Sequence, residues 1–458
     1  MIEIKEDTLE STLIKAIQGL NPSETKLVSY TKKIANVDPL LFFEAGKYLH
    51  MNRSFWKSTI DQFTLVGIGT AYSIREEHSN LLKERWNTLQ NQAIINNPFK
   101  ISGTGIAAIG GMDFDSHKPR TALWESFASN ELRVPTYMLT VCEEDTYLTV
   151  NVYVGREEDP LSLAEKLSEN ETFLLSHTDI ETYQPTIKQQ FEINPEEWKR
   201  TVKAATEHIS AGSTNKIVLA RELQLQLANK IQLTGVIREL IESQPTSYIF
   251  AFEQGDDCFI GASPERLVKV EKNDLLSTCL AGTAPRGSND SEDEEFGHQL
   301  LHDQKNLEEH DFVVQMIRTS LEEFCKEIQV PNQPVLYKLR NLQHLYTPVR
   351  GKFKQGKSIL DVIEKLHPTP ALGGEPREAA IDFIRENEML DRGWYGAPIG
   401  WIDSNEHGEF AVAIRSGLMK GNKASLFAGC GVVKDSDPEA EYIETGIKFL
   451  PMLKVLGG

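Results

Sequence analysis

The stretch SYIFAFEQGDDCFIGASPERLVKVEKNDLLSTCLAGT, residues 247–283, decides which fold the sequence predicts. Four apolar runs (SYIFAFE, CFIGAS, RLVKVE and LLSTCLAGT) are separated by the short segments QGDD, PE and KND. Turn residues at such short spacing are typical of strands that are joined by hairpins. The stretch therefore predicts an antiparallel meander of four strands, with a two-residue bend at Pro264 and Glu265.

A helix precedes this stretch, at the point where the pattern of the chain changes. In INPEEWKRTVKAATEHISAG, residues 193–212, Asn194 can cap the helix, Pro195 suits its first turn, and Glu197 closes a capping box. Apolar residues recur at helical spacing at Trp198, Val202, Ala205 and Ile209. We place the main boundary here, between a mixed α/β portion at residues 1–190 and a second region at residues 191–458.

Helices are also predicted on the C-terminal side of the stretch. One long helix is expected from about Glu292 to Lys326. Another occupies PEAEYIETGIKF, residues 438–449, where helical spacing places Glu441, Glu444 and Lys448 on one face. Two carboxylates and an ammonium on one face could be a solvated surface with an ion pair, or part of a site.

The composition limits the classes of partner. The chain has 458 residues, with 40% hydrophobic and 25% charged residues, which is ordinary for a soluble globular protein of one to three domains. The formal charge of −19 argues against nucleic acid or an anionic membrane as a partner. No apolar run approaches the roughly 18 residues of a membrane span. An anionic substrate would therefore need a local positive site.

The N-terminal sequence and the cysteines suggest a cytoplasmic location. MIEIKEDTLE lacks a basic region followed by an apolar stretch, so we expect no signal peptide. The five cysteines contain no C-x-x-C pair, which fits reduced thiols better than disulfides or a zinc ribbon.

Two turns carry residues that could perform acid–base chemistry. Lys216 begins an apolar strand in TNKIVLAR, and enclosure would lower its pKa and make it a usable base. Glu265 lies on the bend in GASPERL, where rigid neighbours would aim its carboxylate. The ordinary alternatives are a lysine that reaches solvent and a turn glutamate in water.

Two glycine-containing segments could hold a ligand. In CLAGTAPRG, the backbone N–H groups of Gly282 and Thr283 and the threonine hydroxyl could bind an anion. In FAGCGVV, Gly429 and Gly431 would let a ligand approach the backbone closely. An ordinary turn and a bulge are the respective alternatives.

The histidines of HQLLHDQKNLEEH raise the possibility of zinc. His298 and His302 are spaced i, i+4, and His310 follows. However, Gln299 stands where the catalytic zinc motif has glutamate.

Carboxylates offer a different metal site. Glu309, with Glu441 or Glu444, could share a hard cation, because magnesium is typically held by one or two carboxylates, waters and substrate oxygens. Lys448 would then face the same anionic ligand.

Nine motifs occur together and in order: NKIVLAR, GASPERL, LAGTAPRG, KNLEEHDFVV, LHPTPALGG, WYGAPIGW, AVAIRS, FAGCGVV and DPEAEYIETGIK. Over about residues 195–456 the chain resembles the chorismate-utilising enzymes, which include isochorismate, anthranilate, salicylate and aminodeoxychorismate synthases. The resemblance implies an α+β fold of the anthranilate synthase component I type. In that fold large antiparallel sheets pack together, helices flank them, and the site lies in a cleft.

The resemblance also implies roles for individual residues. Lys216 matches the base that activates water, and Glu265 matches the acid that protonates the departing C4 hydroxyl. Tyr395 and Arg415 match the pair that binds the enolpyruvyl carboxylate. The other matches are Glu309 and Glu444 as Mg²⁺ ligands with Glu441 beside them, and Gly282, Thr283, Gly429, Gly431 and Lys448 as further substrate contacts.

Four positions indicate which member of the family the chain resembles. Ala281 stands where aminodeoxychorismate synthases carry a lysine nucleophile. Ala371, a further substrate contact, matches isochorismate synthases, whereas anthranilate and salicylate enzymes typically have threonine there. The tryptophan-feedback motif of anthranilate synthases is reduced to TLES at residues 8–11. Tyr395 departs from the phenylalanine of some siderophore-type enzymes and favours the menaquinone type.

The resemblance thus implies a Mg²⁺-dependent isochorismate synthase that adds water at C2 of chorismate and loses the C4 hydroxyl. The product would feed menaquinone or siderophore synthesis, and no obligate protein partner is expected. Two alternatives stay open. One is anthranilate synthase component I, which would need a glutaminase partner. The other is a zinc hydrolase that uses His298, His302 and His310.

Overall fold

The structure is a computed structural model that describes residues 8–339 and 342–458. Residues 1–7, which carry part of the signal-peptide expectation, lie outside the described residues. The strands, in chain order, are β1 (Thr25–Ile34), β2 (Arg53–Ser58), β3 (Phe63–Ile68), β4 (Tyr72–Glu76), β5 (Ile94–Asn96), β6 (Ala107–Met112), β7 (Asn130–Val134), β8 (Tyr137–Cys142), β9 (Asp145–Gly155), β10 (Ile187–Glu192), β11 (Lys216–Leu227), β12 (Tyr248–Gln254), β13 (Asp257–Ser263), β14 (Arg266–Glu271), β15 (Asp274–Pro285), β16 (Cys325–Gln329), β17 (Val335–Lys338), β18 (Leu342–Phe353), β19 (Gly374–Glu375), β20 (Pro398–Asp403), β21 (Gly408–Val412), β22 (Ser416–Lys420) and β23 (Lys423–Val432).

Helices lie between these strands and at both ends of the described chain. They are α1 (Leu9–Gln18), α2 (Pro39–Tyr48), α3 (Ser79–Gln92), α4 (Pro160–Ser176), α5 (Pro195–Ser210), α6 (Leu233–Ser243), α7 (Asp290–His302), α8 (Gln304–Leu321), α9 (Ile359–Leu366), α10 (Arg377–Asn387) and α11 (Pro438–Val455), with a short 3₁₀ turn at Ala122–Trp124.

The strands form two large sheets. The larger has 13 strands in the order β10-β11-β23-β22-β13-β12-β2-β3-β8-β9-β1-β5, and β19 also pairs with β11. The smaller has ten strands in the order β16-β18-β15-β14-β21-β20-β6-β7-β4, and β17 also pairs with β18. Among the described pairings only β1 with β5 is parallel. The predicted α+β class with large antiparallel sheets is confirmed.

The two sheets pack against each other through an aromatic core. Trp56 and Phe252 from the larger sheet share one buried cluster with Trp401 from the smaller sheet and with the loop residue Trp394. A second cluster joins α1, α2, α4, α6 and α11 to the larger sheet. A third contains α3, α8 and α9, which pack on the smaller sheet, and α5 and α10, which pack on β11 of the larger sheet. Burial of apolar surface from both faces of each sheet holds the layers together.

The predicted four-strand meander is wrong in one respect. All four strands form, but β12 and β13 pair in the larger sheet, whereas β14 and β15 pair in the smaller one. Pro264 and Glu265 therefore carry the chain from one sheet to the other. Pro264 has no N–H to continue a ladder, and the carbonyl of Glu265 already accepts a bond from the N–H of Val412, the last residue of β21, at 3.0 Å.

The long helix predicted from Glu292 to Lys326 is also wrong. Asp303, with extended backbone, ends α7 and caps α8, and its Oδ1 accepts a hydrogen bond from Asn306 N at 2.8 Å. An aspartate that can bond the backbone three residues on favours a new helix start over a continuous helix. The last residues of the predicted helix belong to β16 instead.

The predicted capping box of α5 does not form either. Asn194 adopts a left-handed conformation with φ of 45° and makes no side-chain cap hydrogen bond. The predicted apolar face is nevertheless buried. The division at residue 190 stays a prediction. Strands from both sides of it pair in both sheets, as β2 does with β12 and β6 with β20.

Within residues 8–339 and 342–458, no helix has the length and apolarity to cross a bilayer.

Candidate active site

The last helix, α11, presents its polar face to the end of β23. Asp437 caps it by accepting from Ala440 N, and Thr445, Phe449 and Met452 anchor its buried side. Lys448 Nζ lies 2.6 Å from Glu444 Oε1 and donates to the carbonyl of Gly429 at 2.8 Å.

The same face holds Glu441, whose Oε1 accepts a hydrogen bond from Ser436 Oγ at 2.7 Å. Ile443 and Ile447, by contrast, are exposed. Glu441 and Lys448 are therefore half-buried near the end of β23, whereas the Glu444 side chain is 51% exposed.

Lys216 begins β11 directly opposite this helix. A Cβ atom at Gly431 would lie 2.6 Å from Lys216 Cε and 3.3 Å from its Nζ, so the space that the lysine occupies depends on glycine there. Burial lowers the pKa of Lys216, and the negative charges of Glu309, Glu444 and Glu265 oppose that shift. The predicted base is thus half-buried against Gly431 of β23 rather than extended into solvent.

Glu265 lies at the crossing between the two sheets. Its backbone is fixed on both sides, because its N–H donates to Ser263 Oγ at 3.2 Å and its carbonyl accepts from Val412. Burial raises the pKa of Glu265 to about 7, although the positive charges of Arg415 and Lys216 oppose the shift. A glutamic acid that keeps its proton near neutral pH can act as a general acid.

Tyr395 and Arg415 lie beside these two residues. Tyr395 is buried, its ring packs on Phe427, and its Oη lies 3.3 Å from the position of a Cβ at Gly429. Burial raises the pKa of Tyr395 to about 12, so its hydroxyl remains a donor. Arg415 has a φ of 53° and its charge acts on both Tyr395 and Glu265. A guanidinium and a phenol hydroxyl form a suitable pair for a carboxylate.

Gly282 and Thr283 lie where β15 bulges against β18. The pairing register shifts between Ala281 and Thr283, and Gly282 has a φ of 78°, which favours glycine. Thr283 Oγ1 lies 2.9 Å from His344 Nδ1.

The sequence analysis did not identify His344. Burial and the charge of Arg415 lower its pKa to about 4, so the ring is neutral beside the other site residues. In the sequence it is a single histidine in the strand pattern LQHLYT, and such a pattern does not indicate a site residue unless the fold is known.

Ala371 lies in the loop between α9 and β19. This loop runs along the backbone of Lys216, since β19 pairs Glu375 with Lys216 and a Cβ at Gly374 would lie 2.2 Å from the Lys216 carbonyl oxygen. The alanine predicted to determine the product is therefore next to the strand that carries the predicted base.

The three histidines of the zinc alternative do not come together. His298 and His302 are exposed and stack on each other, with ring centroids 4.1 Å apart. His310 is buried, with Nε2 2.7 Å from Thr347 Oγ1 and Nδ1 3.0 Å from the Ala281 carbonyl. Both of its ring nitrogens have hydrogen-bond partners within the protein, so the geometry gives no support to a zinc hydrolase.

The carboxylates are arranged differently. Among the described residues, no group of three His, Cys, Asp or Glu side chains is placed to hold a metal ion by itself. Glu309 and Glu444 nevertheless both act on the pKa of Lys216, which puts their charges at the same cleft. Two carboxylates of this kind fit a hard cation that completes its shell with water and substrate oxygens.

Comparison with known proteins shows the family to which the chain is related. The sequence profile of the family described as "Chorismate binding enzyme" matches residues 12–457, so the family match also includes the N-terminal portion. The isochorismate synthase MenF of Bacillus subtilis is 43% identical over 441 residues, 94% of each chain. The salicylate biosynthesis isochorismate synthase of Pseudomonas aeruginosa is 35% identical over 443 residues, 94% of this chain and 91% of the other.

Solved structures show the same fold. The menaquinone-specific isochorismate synthase MenF of Escherichia coli has a TM-score of 0.82 at 23% identity, over 98% of this chain and 99% of the other. Anthranilate synthase component I of Streptococcus pneumoniae has a TM-score of 0.71 at 22% identity, over 84% and 91% of the two chains.

Proposed function

We propose that this chain, which belongs to the family of chorismate binding enzymes, is an isochorismate synthase. The observation that carries the proposal is the pair of Lys216 and Glu265 in one cleft. Burial lowers the pKa of the lysine and raises that of the glutamate to about 7, so each pKa is shifted toward the form that is rare in water. A neutral amine and a protonated carboxyl are what the addition of water and the loss of hydroxide require.

The reaction divides between these two side chains. Lys216 takes a proton from a water molecule whose oxygen bonds to C2 of chorismate. The ring double bonds shift, and the C4–O bond breaks as Glu265 donates its proton to the departing hydroxyl. One water is added and one is released, so the net change is an isomerisation. In the reverse direction the two groups exchange roles.

Substrate binding relies on local positive charge. Chorismate is a dianion and the whole chain carries −19, so attraction must come from the cleft itself. We assign the enolpyruvyl carboxylate to Arg415 and Tyr395, with Lys448, Gly282, Thr283, Gly429 and Gly431 as further contacts. His344, bonded to Thr283, is placed to orient that hydroxyl.

We further propose that Glu309 and Glu444 hold Mg²⁺, with Glu441 beside them. The ion would supply positive charge to the second carboxylate of the substrate. Oxygen donors are the ligands that magnesium prefers, and a site with two carboxylates leaves positions for water and substrate. Lys448, which is paired with Glu444, ties the metal ligands to the backbone of Gly429.

The relatives favour menaquinone synthesis as the destination of the product. The relative with 43% identity is a MenF, whereas the one with 35% identity is named for salicylate biosynthesis. Tyr395 also favours the menaquinone type, because some siderophore-type enzymes have phenylalanine at this position. We place the enzyme in the cytoplasm, because its five cysteines are all free.

The test is product identification by NMR after incubation with chorismate and Mg²⁺. Isochorismate in equilibrium with chorismate is expected, and the same yield is expected with and without ammonia. Anthranilate that forms only when ammonia is present would instead identify an anthranilate synthase component I. A reaction without enzyme controls for spontaneous decay of both isomers.

A further inference from the structure

One edge of β11 is completed by side chains instead of a strand. On its outer edge, β19 pairs with Lys216 and Ile217, and β10 pairs with residues 223–227. Between these two short partners, the N–H and C=O groups of Val218 and Ala220 point away from β23 and need other partners, since a buried backbone group without one is costly.

All four of these groups find a partner. Val218 N donates to the carbonyl of Gly373 at 3.0 Å, and Ala220 O accepts from Trp198 Nε1 at 3.0 Å. The other two bond to one ion pair: Val218 O accepts from an Arg392 Nη at 2.7 Å, and Ala220 N donates to a Glu388 Oε at 2.7 Å.

The ion pair is closed and buried. Arg392 and Glu388 form two parallel bonds of 2.6 and 2.7 Å, and their side chains are 4% and 2% exposed. The guanidinium lies over the ring of Phe114, 4.1 Å from its centroid. A bidentate pair of this kind fixes geometry as well as charge.

Arg392 of this pair also contacts two further segments that carry predicted site residues. Arg392 donates to the carbonyl of Leu372, which follows Ala371, at 3.1 Å. The carbonyl of Arg392 accepts from Tyr395 N at 2.8 Å. On the opposite edge of β11, Val218 is paired with Gly431 and Ala220 with Gly429, which are the glycines of the cleft.

We propose that Arg392 and Glu388 are positioning residues that set the strand of Lys216, the loop of Ala371 and the loop of Tyr395 relative to one another. This rests on the proposed function. Neither residue is among the proposed substrate contacts. They act by fixing the outer edge of β11. The opposite edge of this strand pairs with Gly429 and Gly431, and its first residue is Lys216, all of which line the cleft.

The chain offers a closely matched control. Arg53 and Glu253 also form a bidentate pair, at 2.9 and 3.0 Å, and Arg53 also lies over a phenylalanine, Phe43, at 4.4 Å. Arg53 begins β2, which is separated from β11 by β23, β22, β13 and β12. The two pairs are alike in chemistry and differ in place.

The experiment compares Arg392→Lys, Glu388→Gln and Arg53→Lys. Each is measured at 10 °C for folded fraction by circular dichroism, for thermal midpoint, and for kcat and KM with chorismate. We expect all three to lower the thermal midpoint. Arg392→Lys and Glu388→Gln should lower kcat per folded molecule by about tenfold to a hundredfold, the scale of a small misplacement, while KM changes less than kcat. Arg53→Lys should keep kcat within about twofold of the wild type.

The outcomes separate the proposals. Equal kcat per folded molecule in the Arg392→Lys and Arg53→Lys variants would overturn the positioning role. Failure of both Arg392→Lys and Glu388→Gln to fold at 10 °C would also overturn it, because the pair would then only stabilise the fold. A wild type that converts chorismate to another product would refute the proposed function instead. The ratios of kcat would remain interpretable in that case.

Discussion

Two turns in the stretch 247–283 are alike in length, with two residues each, and opposite in outcome. Lys272 and Asn273 join β14 to β15, are exposed, and have φ values of 50° and 68°, the signature of a type I′ hairpin. Pro264 and Glu265 join β13 to β14, but those strands lie in different sheets. A hairpin turn only reverses the chain, whereas the crossing turn places a carboxyl between two sheets, where burial shifts its pKa.

The largest expected effect comes from changing the crossing turn. Glu265→Gln should lower kcat by about 10²-fold or more, the usual scale for a general acid, because the amide cannot deliver a proton to the C4 oxygen. Lys216→Ala should cost a similar factor in both directions of the reaction. Lys272→Gln, at the hairpin turn, is the matched control and should leave kcat unchanged. Steady-state kinetics from both substrates would check this, and wild-type kcat in either cleft variant would remove that residue from the mechanism.

The same carboxyl predicts a dependence of stability on pH. Its pKa is raised from 4.5 to about 7, so between these values the folded protein holds a proton that the unfolded chain has released. The contribution of Glu265 to stability is therefore present at low pH and is lost as pH rises through about 7. Relative to the wild type, Glu265→Gln should gain more thermal stability at pH 8 than at pH 5. Calorimetry at both pH values tests this, and an equal gain at both would contradict the raised pKa.

Gly431→Ala extends the comparison to the strand opposite Lys216. The added methyl group would lie 2.6 Å from Lys216 Cε, so the lysine must move. We expect kcat to fall by about tenfold to a hundredfold, the scale of a small misplacement of a reacting group. Gly155→Ala, whose nearest neighbour would be 3.6 Å away, is the control for a glycine change in a strand. Similar kinetics in the two variants would show that the lysine tolerates the displacement.

The metal proposal predicts a smaller and more specific change. Glu444→Gln should raise the Mg²⁺ concentration needed for half-maximal activity by about tenfold, the lower end of what the loss of a metal-site interaction costs. The protein should stay folded, because the partly exposed pair with Lys448 contributes little stability. Glu439→Gln, on the same helix, is the control. Mg²⁺ titrations of activity would decide, and full activity of Glu444→Gln at low Mg²⁺ would refute the assignment.

We predict that Ala371 affects which product leaves the cleft more than how fast the product forms. Salicylate requires loss of pyruvate from isochorismate, with transfer of hydrogen from C2 to the enolpyruvyl methylene. Alanine offers no hydroxyl to hold the side chain over the ring, so the wild type should release isochorismate with little salicylate. Ala371→Thr should raise the salicylate fraction, at some cost in turnover. Chromatography of both products, with isochorismate alone as the control for spontaneous decay, measures the ratio. Substantial salicylate from the wild type would move the chain to the salicylate synthases.

Local sequence predicted individual elements well and their assembly poorly. The strands of residues 247–283 were identified because turn residues end them, but the change of sheet at Pro264 depends on β22 and β21, which lie far along the chain. Similarly, the break at Asp303 depends on one side-chain hydrogen bond that competes with helix continuation. Periodicity found the buried face of α5, although the expected cap at Asn194 did not form.

For the site, too, the sequence predicted individual residues better than their arrangement. The motifs identified residues from separate elements, and the structure brings Lys216, Glu265, Arg415 and Glu444 close enough for their charges to interact. His344 was missed because nothing in LQHLYT marks it until β18 pairs it with Thr283. The Arg392–Glu388 pair was missed for a related reason: its partners are backbone atoms of β11 and of the Ala371 loop, which leave no side-chain pattern.

The smallest expected effect comes from changing the hairpin turn at Lys272 and Asn273. A type I′ turn requires positive φ at both central positions, and Asn-Gly meets that requirement better than Lys272-Asn273. The double variant Lys272→Asn with Asn273→Gly should therefore stabilise the protein by about 0.5–1 kcal/mol, the size of other turn and glycine effects. Because the turn is exposed and outside the cleft, kcat should stay within about twofold of the wild type. Denaturant unfolding gives the stability and steady-state kinetics gives kcat. A loss of activity here comparable to that of Glu265→Gln would mean that the two turns are coupled through β14, and that the contrast between them is wrong.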